Sequence, residues 1–146
     1  MIFTGAVFAI VLAACALTRC YLDRSSRRDE VFLGGRAATR TVRNHGGGFG
    51  LRLGGRALAV SSAAALGVTL ARSLRERRLL PRLGAGLLLG GGVSNLTERL
   101  RRGWVYDYVQ FPRAFGNLKR LVFNLADFAI LLGGLLLVLT QKRKKP

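Results

Sequence analysis

One histidine and two cysteines are all that this 146-residue chain offers of the side chains that most often bind transition metals. A structural zinc site needs about four such ligands close together, so we expect no metal site, and no motif indicates an organic cofactor. His45 is the single imidazole available to a serine or cysteine nucleophile, and it is more typical of an exposed loop residue. Cys15 and Cys20 lie five positions apart, which excludes a disulfide framework.

Acidic residues are also scarce, with seven Asp and Glu against 24 Lys and Arg and a formal net charge of +17. In a soluble protein this balance would indicate nucleic-acid binding. Here, however, the basic residues lie between long apolar blocks or beside them, and the chain lacks a soluble module with a patterned basic and aromatic surface. We therefore expect a membrane protein with no nucleic-acid partner.

Half of the residues are hydrophobic, and they are concentrated in a few blocks. A helix needs about 20 apolar residues to cross a bilayer core of about 30 Å. Four segments are candidate spans, 2–18, 55–72, 79–96 and 121–140, and the last three approach that length. Small residues are frequent in the second and third segments, which favours close helix packing in lipid. We expect an all-α polytopic membrane protein with four transmembrane helices, forming a single membrane-embedded domain over residues 1–146.

The hydrophilic regions differ in composition from these segments. Residues Val31 to Leu53 mix β-branched, aromatic and glycine residues with no helical period, which predicts short extended segments. A small β-containing cap is therefore expected outside the membrane. In the region after the third segment, Trp104, Tyr106 and Tyr108 are suited to the membrane–water interface.

The density of basic residues predicts the orientation. Five lie in 72–82 and four in 141–146, against eight in 19–53 and six in 97–122. Because cytoplasmic loops are the richer in Lys and Arg, both termini are expected in the cytoplasm and the two longer loops outside.

The first apolar segment contains LAAC at Leu12 to Cys15, which resembles the lipid-modification box of a bacterial lipoprotein. A signal peptide normally begins with positive charge, but the first basic residue here is Arg19, beyond the apolar region. We therefore expect residues 1–18 to be retained as a span.

Asp127 lies four positions into the apolar run of residues 123–139, which belongs to the last segment. A carboxyl at the bilayer centre costs about 2.5 to 3.5 kcal/mol, so such a residue usually faces the bundle interior and has a partner. Asp107 lies in the apolar and aromatic stretch WVYDYV and is expected at the same outer interface. Two carboxyls that meet would share one proton. In an aspartic protease, one carboxylate then takes a proton from water while the protonated one polarises the scissile carbonyl.

Five short motifs occur in order over nearly the whole chain: LDRSSR at 22–27, NHGGGF at 44–49, GGVSNLTER at 91–99, GWVYDY at 103–108 and FNLAD at 123–127. Together they resemble the motifs of the bacterial lipoprotein signal peptidases, also called signal peptidase II. The last two fit the family pattern unchanged. In the others, Arg27 stands where lysine is usual, Gly48 replaces alanine, Ser94 replaces glycine and Glu98 replaces aspartate.

The resemblance implies a membrane-embedded aspartic endopeptidase that removes the signal peptide from prolipoproteins carrying a diacylglyceryl group. It implies a multi-pass protein of the bacterial cytoplasmic (inner) membrane, with its active site near the extracytoplasmic face. The expected partners are these prolipoproteins and membrane lipids, and the expected state is a monomer.

By motif position, the resemblance assigns the catalytic pair to Asp107 and Asp127. Substrate-binding or supporting residues are then Asn44, Gly46, Phe49, Asn95, Arg99, Asn124, Asp23 and Arg27. Asp23 and Arg27 correspond to a supporting pair, and Glu98 is expected to pair with Arg99 or Arg101. The three asparagines could donate hydrogen bonds to substrate or satisfy one another inside the bundle, and Phe49 and Trp104 could gate the site or pack on lipid.

The alternative is a non-catalytic polytopic membrane protein, such as a small transporter or an assembly factor, with a structural intramembrane Asp pair. In that case Asp127 would pair with a basic residue inside the spans. Most basic residues of this chain lie outside the spans, and Arg56, Arg72 and Arg82 lie near span ends, which favours the peptidase.

Overall fold

The computed structural model describes residues 1–24, 30–46 and 55–141. Within these ranges, the helices of two turns or more are α1 (Ile2–Arg24), α2 (Gly55–Arg75), α3 (Leu79–Arg102) and α4 (Leu125–Leu139). The strands are β1 (Val31–Phe32), β2 (Ala37–Asn44), β3 (Val105–Gln110) and β4 (Val122–Phe123). The protein is therefore mostly helical with one small sheet.

Two of the helices in the described ranges, α1 and α2, are long and apolar enough to cross a membrane. Helix α4 is apolar but has only 15 residues, and α3 has 24 residues but fails the same hydropathy criterion. The glycines of α3, together with Arg82 and Asn95, lower its mean hydropathy. Of the four expected spans, only two are thus clear by this measure.

Helix α3 lies at the centre of the bundle and contacts α1, α2 and α4. Its glycines make these contacts close. A Cβ built on any of five glycines would lie within 3.0 Å of an atom of a neighbouring helix: Gly86 and Gly90 against α1, Gly92 against α2, and Gly84 and Gly91 against α4. The prediction of close packing through small residues is confirmed.

The four strands form an antiparallel sheet in the order β1-β2-β3-β4. Strand β3 is buried over its first four residues, and β2 pairs along it with an irregularity between Thr39 and Val42. The expected extended segments after Val31 are confirmed as β1 and β2. Strand β3 follows the end of α3 and so connects the sheet to that helix.

The aromatic residues of β3 do not lie at an exposed interface. Tyr106 and Tyr108 are each 6% exposed, and their rings contact each other with centroids 6.0 Å apart. Trp104 is half-buried under the guanidinium groups of Arg43 and Arg102, at 5.1 and 5.5 Å from the ring centroid. Residues 105–108 are all buried, so protein covers both faces of this part of β3 and encloses the two tyrosines. Their placement at the depth of the membrane–water interface stays a prediction.

The predicted fourth segment, 121–140, contains both β4 and α4. The helix begins after Asn124, whose backbone is extended and whose side-chain oxygen accepts a hydrogen bond from the Asp127 N–H. Asp127 in turn accepts from the Asn124 N–H, which completes a capping box. This reciprocal arrangement satisfies donors at the helix start and places Asp127 in the first turn.

Close packing at Gly91 can be tested by Gly91→Ala. The added Cβ would lie 2.5 Å from the Ala126 carbonyl oxygen, so α3 and α4 must separate, and we expect a loss of about 1 to 3 kcal/mol in unfolding free energy. The measurement is thermal or denaturant unfolding in detergent. Gly134→Ala on α4 is the matched control, since a Cβ there meets nothing within 4 Å. Equal stability of the two variants would contradict the packing argument.

Candidate active site

Asp107 and Asp127 line the same cavity, of about 240 Å³. Asp107 lies in the middle of β3 and is 2% exposed, whereas Asp127 lies in the first turn of α4. Polar side chains surround the two carboxyls at one end. The rest of the wall comes mainly from α2, α3 and α4. Apart from Ser62 it is apolar: Leu58, Ala65, Leu66, Leu88, Gly92, Leu96, Val105 and Ile130.

Asn124 connects the two carboxyls. Its side-chain Nδ2 donates to Oδ1 of Asp107 at 2.6 Å, and its backbone N–H donates to Oδ2 of Asp127 at 3.0 Å. The residue is 4% exposed. One capping residue therefore sets the position of β3 and of α4 relative to each other at the two aspartates.

Two further asparagines hold the other carboxyl oxygens. Asn44 at the end of β2 donates from Nδ2 to Oδ2 of Asp107 at 2.8 Å, and Asn95 of α3 donates from Nδ2 to Oδ1 of Asp127 at 2.9 Å. Both line the cavity. The sequence left two uses open for these amides, donation to the substrate or to one another. In the structure they donate to the carboxyls instead.

Gly46 and Arg99 lie next to this cluster. The Gly46 N–H donates to Oδ1 of Asn44 at 3.0 Å, and the Gly46 carbonyl accepts from Nη2 of Arg99 at 3.1 Å. Arg99 is a half-buried residue of α3 and lines the cavity. It thus holds the chain that follows β2 while its positive charge faces the two aspartates.

The environment of Asp107 favours its protonated form. Burial raises the pKa of Asp107 to about 6, against an ordinary value of 3.8, and the negative charge of Asp127 adds to the increase. The hydrogen bonds from Asn44 and Asn124 favour the charged form and oppose that change. A buried carboxyl that titrates near neutral pH beside a second carboxyl has the properties of a general acid or base.

The remaining predicted residues are not brought to the cavity by the described part of the chain. Asp23 is exposed near the end of α1. Arg27 and Phe49 lie outside the described residues, so the expected supporting pair of Asp23 and Arg27 stays a prediction. His45 is exposed, next to Asn44.

The sequence predicted that Glu98 pairs with Arg99 or Arg101, but in the structure it pairs with neither. Its carboxylate lies 3.1 Å from Nη1 of Arg19 and 3.7 Å from Nη1 of Arg102. The side chains at positions 98 and 102 share a helix face, because residues four apart are neighbours on a helix, whereas those at 99 and 101 point elsewhere. Arg19 on α1 was missed because no spacing within the sequence indicates a contact between separate helices.

Tyr108 makes a contact near the site that the sequence analysis did not predict. Its phenol oxygen accepts a hydrogen bond from the Leu125 N–H at 3.0 Å, at the start of α4. The period-2 pattern of a strand, applied to residues 105–110, would have placed Tyr106 and Tyr108 on the face opposite Asp107.

Among the described residues, no group of three or more His, Cys, Asp or Glu side chains could hold a metal ion.

The raised pKa of Asp107 predicts a pH-dependent stability. The folded protein keeps a proton on Asp107 between about pH 4 and 6 that the unfolded chain has lost, so this residue's contribution to stability falls as pH rises through that window. Asp107→Asn lacks the effect. Its melting temperature relative to the wild type should therefore rise from pH 4 to pH 7.

Glu76→Gln is the control for that experiment. Hydrogen bonds from Arg78 lower the pKa of Glu76 to about 2, so its carboxylate stabilises the fold above its ordinary pKa and ceases to do so as pH falls through about 2. Relative to the wild type, this variant should lose stability as pH rises from about 2 to 4.5. A pH-independent difference for Asp107→Asn would contradict the assignment.

The role of Asn124 is tested by Asn124→Ala. This change removes the cap of α4 and leaves Oδ1 of Asp107 without its donor. Loss of an N-cap costs about 0.5 to 2 kcal/mol, and we expect a decrease in unfolding free energy at the upper end of that range. Asn117→Ala, at an exposed position of the short 3₁₀ helix before β4, is the matched control and should be neutral. The measurement is unfolding in detergent.

Comparison with known proteins places these features in one family. The sequence profile of the family described as "Signal peptidase (SPase) II" matches residues 4–142. A lipoprotein signal peptidase of Streptomyces coelicolor is 39% identical over 109 residues, which are 70% of this chain and 50% of that protein. One of Halothermothrix orenii is 36% identical over 100 residues, covering 67% of this chain and 65% of that protein. The matched part is thus half to just under two thirds of these relatives' length.

Solved structures resemble the chain over almost its whole length. Two, both described as a bacterial membrane enzyme, have TM-scores of 0.79 and 0.78 at 18% identity, and cover 97% and 98% of this chain and 94% and 93% of theirs. At this identity the likeness concerns the fold. The sequence profile covers nearly the entire chain, and we conclude that the chain belongs to the signal peptidase II family.

Proposed function

We propose that the protein is a membrane-embedded aspartic endopeptidase that removes the signal peptide from diacylglyceryl-modified prolipoproteins. The observation that carries the proposal is that Asp107 and Asp127 line one cavity and are joined through Asn124. The relatives named lipoprotein signal peptidase support the substrate class. The proposed domain is the whole of residues 1–146.

The proposed mechanism uses one proton shared by the two aspartates. Asp107 favours the protonated form because it is buried and the negative charge of Asp127 acts on it, and two carboxyls that interact do not ionise together readily. The ionised carboxyl removes a proton from a water molecule, and the water oxygen attacks the scissile carbonyl. The protonated carboxyl donates its proton to the carbonyl oxygen. The C–N bond of the tetrahedral intermediate then breaks as the carboxyl that took the water proton passes it to the leaving amine, and a hydroxyl proton of the intermediate returns to the other carboxylate. No metal or organic cofactor takes part in this scheme.

The asparagines orient the two carboxyls rather than supply charge. Asn44 and Asn124 hold Asp107, and Asn95 and the Asn124 backbone hold Asp127. Fixed orientation places the reacting groups before the substrate arrives, which is the main contribution of a preorganised site. The guanidinium of Arg99, held at Gly46, provides a positive charge at the rim for the negative charge that develops on the tetrahedral intermediate.

The apolar wall of the cavity suits the signal-peptide helix. Leu58 and Leu66 of α2 face Leu88 and Leu96 of α3 and Ile130 of α4 across it. An apolar helix entering sideways between α2 and its neighbours would bury its side chains there, with the acyl chains of the substrate remaining in lipid. The scissile bond would then lie at the polar end, between Asp107 and Asp127.

We further propose that all four helices span the cytoplasmic membrane of a bacterium, with both termini inside and the sheet at the extracytoplasmic face. The density of basic residues in 72–82 supports this orientation. Helix α3 would cross in spite of its lower hydropathy because α1, α2 and α4 cover it. We also propose that the protein acts as a monomer, because one chain supplies both aspartates and the asparagines that hold them.

The non-catalytic alternative requires a basic partner for Asp127. Arg99 lines the same cavity, but both hydrogen-bonded oxygens of Asp127 accept from amides, of Asn95 and Asn124. A carboxyl oriented by neutral donors beside a second carboxyl is better explained by proton transfer than by a structural ion pair.

Asp107→Asn and Asp127→Asn test the proposed dyad. Each keeps the size of the side chain and removes its titrating group, so cleavage of a diacylated prolipoprotein peptide by the purified chain should fall at least about 100-fold. The wild type should show a bell-shaped pH profile. Glu76→Gln, at the opposite end of the bundle, is the control and should cleave normally.

Two outcomes would contradict the proposal. Substantial cleavage by either purified aspartate variant would exclude the dyad. Equal cleavage of the same peptide with and without its diacylglyceryl group would contradict the substrate class while leaving the protease assignment in place.

A further inference from the structure

Glu98 is a buried carboxylate that lies outside the cavity of the two aspartates. The residue is 6% exposed and belongs to the last turns of α3. Its Oε1 faces Arg19 of α1 and Arg102 of α3, at 3.1 and 3.7 Å. Its Oε2 accepts a hydrogen bond from the Tyr106 N–H at 3.0 Å. One carboxylate therefore joins α1, α3 and β3.

The hydrogen bond to Tyr106 is made where the sheet is incomplete. Strand β4 pairs only with Val109 and Gln110 of β3, so it does not reach the first half of that strand. A buried backbone N–H without an acceptor is costly. Glu98 supplies the acceptor that a longer β4 would have provided, one residue before Asp107.

The two faces of β3 have different neighbours. Val105 and Asp107 line the large cavity. Tyr106 and Tyr108 line a small second cavity, of about 10 Å³, with Arg19 and Glu98. Glu98 thus acts on β3 from the side that faces away from the substrate, and its carboxylate is not placed to contact the scissile bond.

Arg19 keeps this carboxylate in place. A buried carboxylate needs a charged or hydrogen-bonded partner, and the Arg19 side chain is itself mostly buried, whereas that of Arg102 is about half exposed and farther away. The close contact is therefore between α1 and α3, and its effect reaches β3 through the Tyr106 amide.

We propose that Glu98, held by Arg19, is a positioning residue that fixes β3 and thereby sets the placement of Asp107 opposite Asp127. The kinetic part of this inference rests on the proposed peptidase function. It extends that function to a residue pair that lies behind the strand and never touches substrate.

Glu98 also acts on Asp107 through its charge. The charged groups that face Asp107 are Asp127 of α4 and Glu98 and Arg99 of α3, while Arg19 and Arg102 face Glu98. The negative charge of Glu98 adds to the raised pKa of Asp107, so Glu98→Gln should lower that pKa. The alkaline limb of the pH profile, where the shared proton is lost, should then move to lower pH. A change that only reduced the folded fraction would lower the rate and leave the limb in place.

The experiment compares Glu98→Ala and Glu98→Gln with the wild type, using the purified full chain and a diacylated prolipoprotein peptide. We expect kcat of Glu98→Ala to fall about 10- to 100-fold because Asp107 is misplaced, with KM within about threefold because the substrate wall is intact. Glu98→Gln keeps an acceptor for Tyr106 and should recover most of the rate with a displaced alkaline limb. Glu76→Gln removes a carboxylate that is also bonded to an arginine, Arg78, and should behave as the wild type.

Hydrogen exchange gives a readout that does not depend on activity. Exchange in β3 should rise about tenfold in Glu98→Ala and remain unchanged in Glu76→Gln. If the wild-type chain cleaves no substrate, the proposed function fails and the exchange at β3 still decides whether Glu98 positions the strand. Unchanged exchange overturns the proposal. The proposal is also overturned if the loss of kcat matches the loss of folded protein and the alkaline limb of the pH profile does not move in Glu98→Gln.

Discussion

Four amide hydrogen bonds to the two aspartates determine much of this structure, one to each carboxyl oxygen. Burying a carboxyl is costly unless its oxygens are hydrogen-bonded. Because the donors come from β2, α3 and the start of α4, these elements must meet at one point. The position of β3 follows, since Asp107 must reach Asn44 and Asn124 together.

This constraint explains why α4 begins where it does. Asn124 ends the extended chain of β4 and caps the helix, and the same residue donates to Asp107. The helix start is thus set by a contact with another element as well as by its own capping. The glycines of α3 serve the same end, because they let α4 approach closely enough for Asn95 to reach Asp127.

The sequence alone predicted the family, the close helix packing and the existence of a small β cap, because these depend on local composition and on motif order. It also predicted that Asp107 and Asp127 would lie near each other, which their shared cavity agrees with. It did not predict the burial of Tyr106 and Tyr108, since an interfacial aromatic and a core aromatic look alike in composition. The pairing of Glu98 with Arg19 was inaccessible for another reason: the two residues are 79 positions apart in the chain, on separate helices, and the sequence carries no spacing rule for such contacts.

Because successive side chains of β3 point to opposite faces, the site is sensitive to the insertion or deletion of a single residue. Shifting a strand by one position moves each of its side chains to the opposite face. Between the left-handed turn at Gly103 and the middle of the strand, one inserted or deleted residue would therefore present a tyrosine phenol to the cavity and turn the carboxyl toward α1. Such a shift moves all of these side chains at once. The length of this short connection is thus specified as strictly as the identity of the aspartate that follows it.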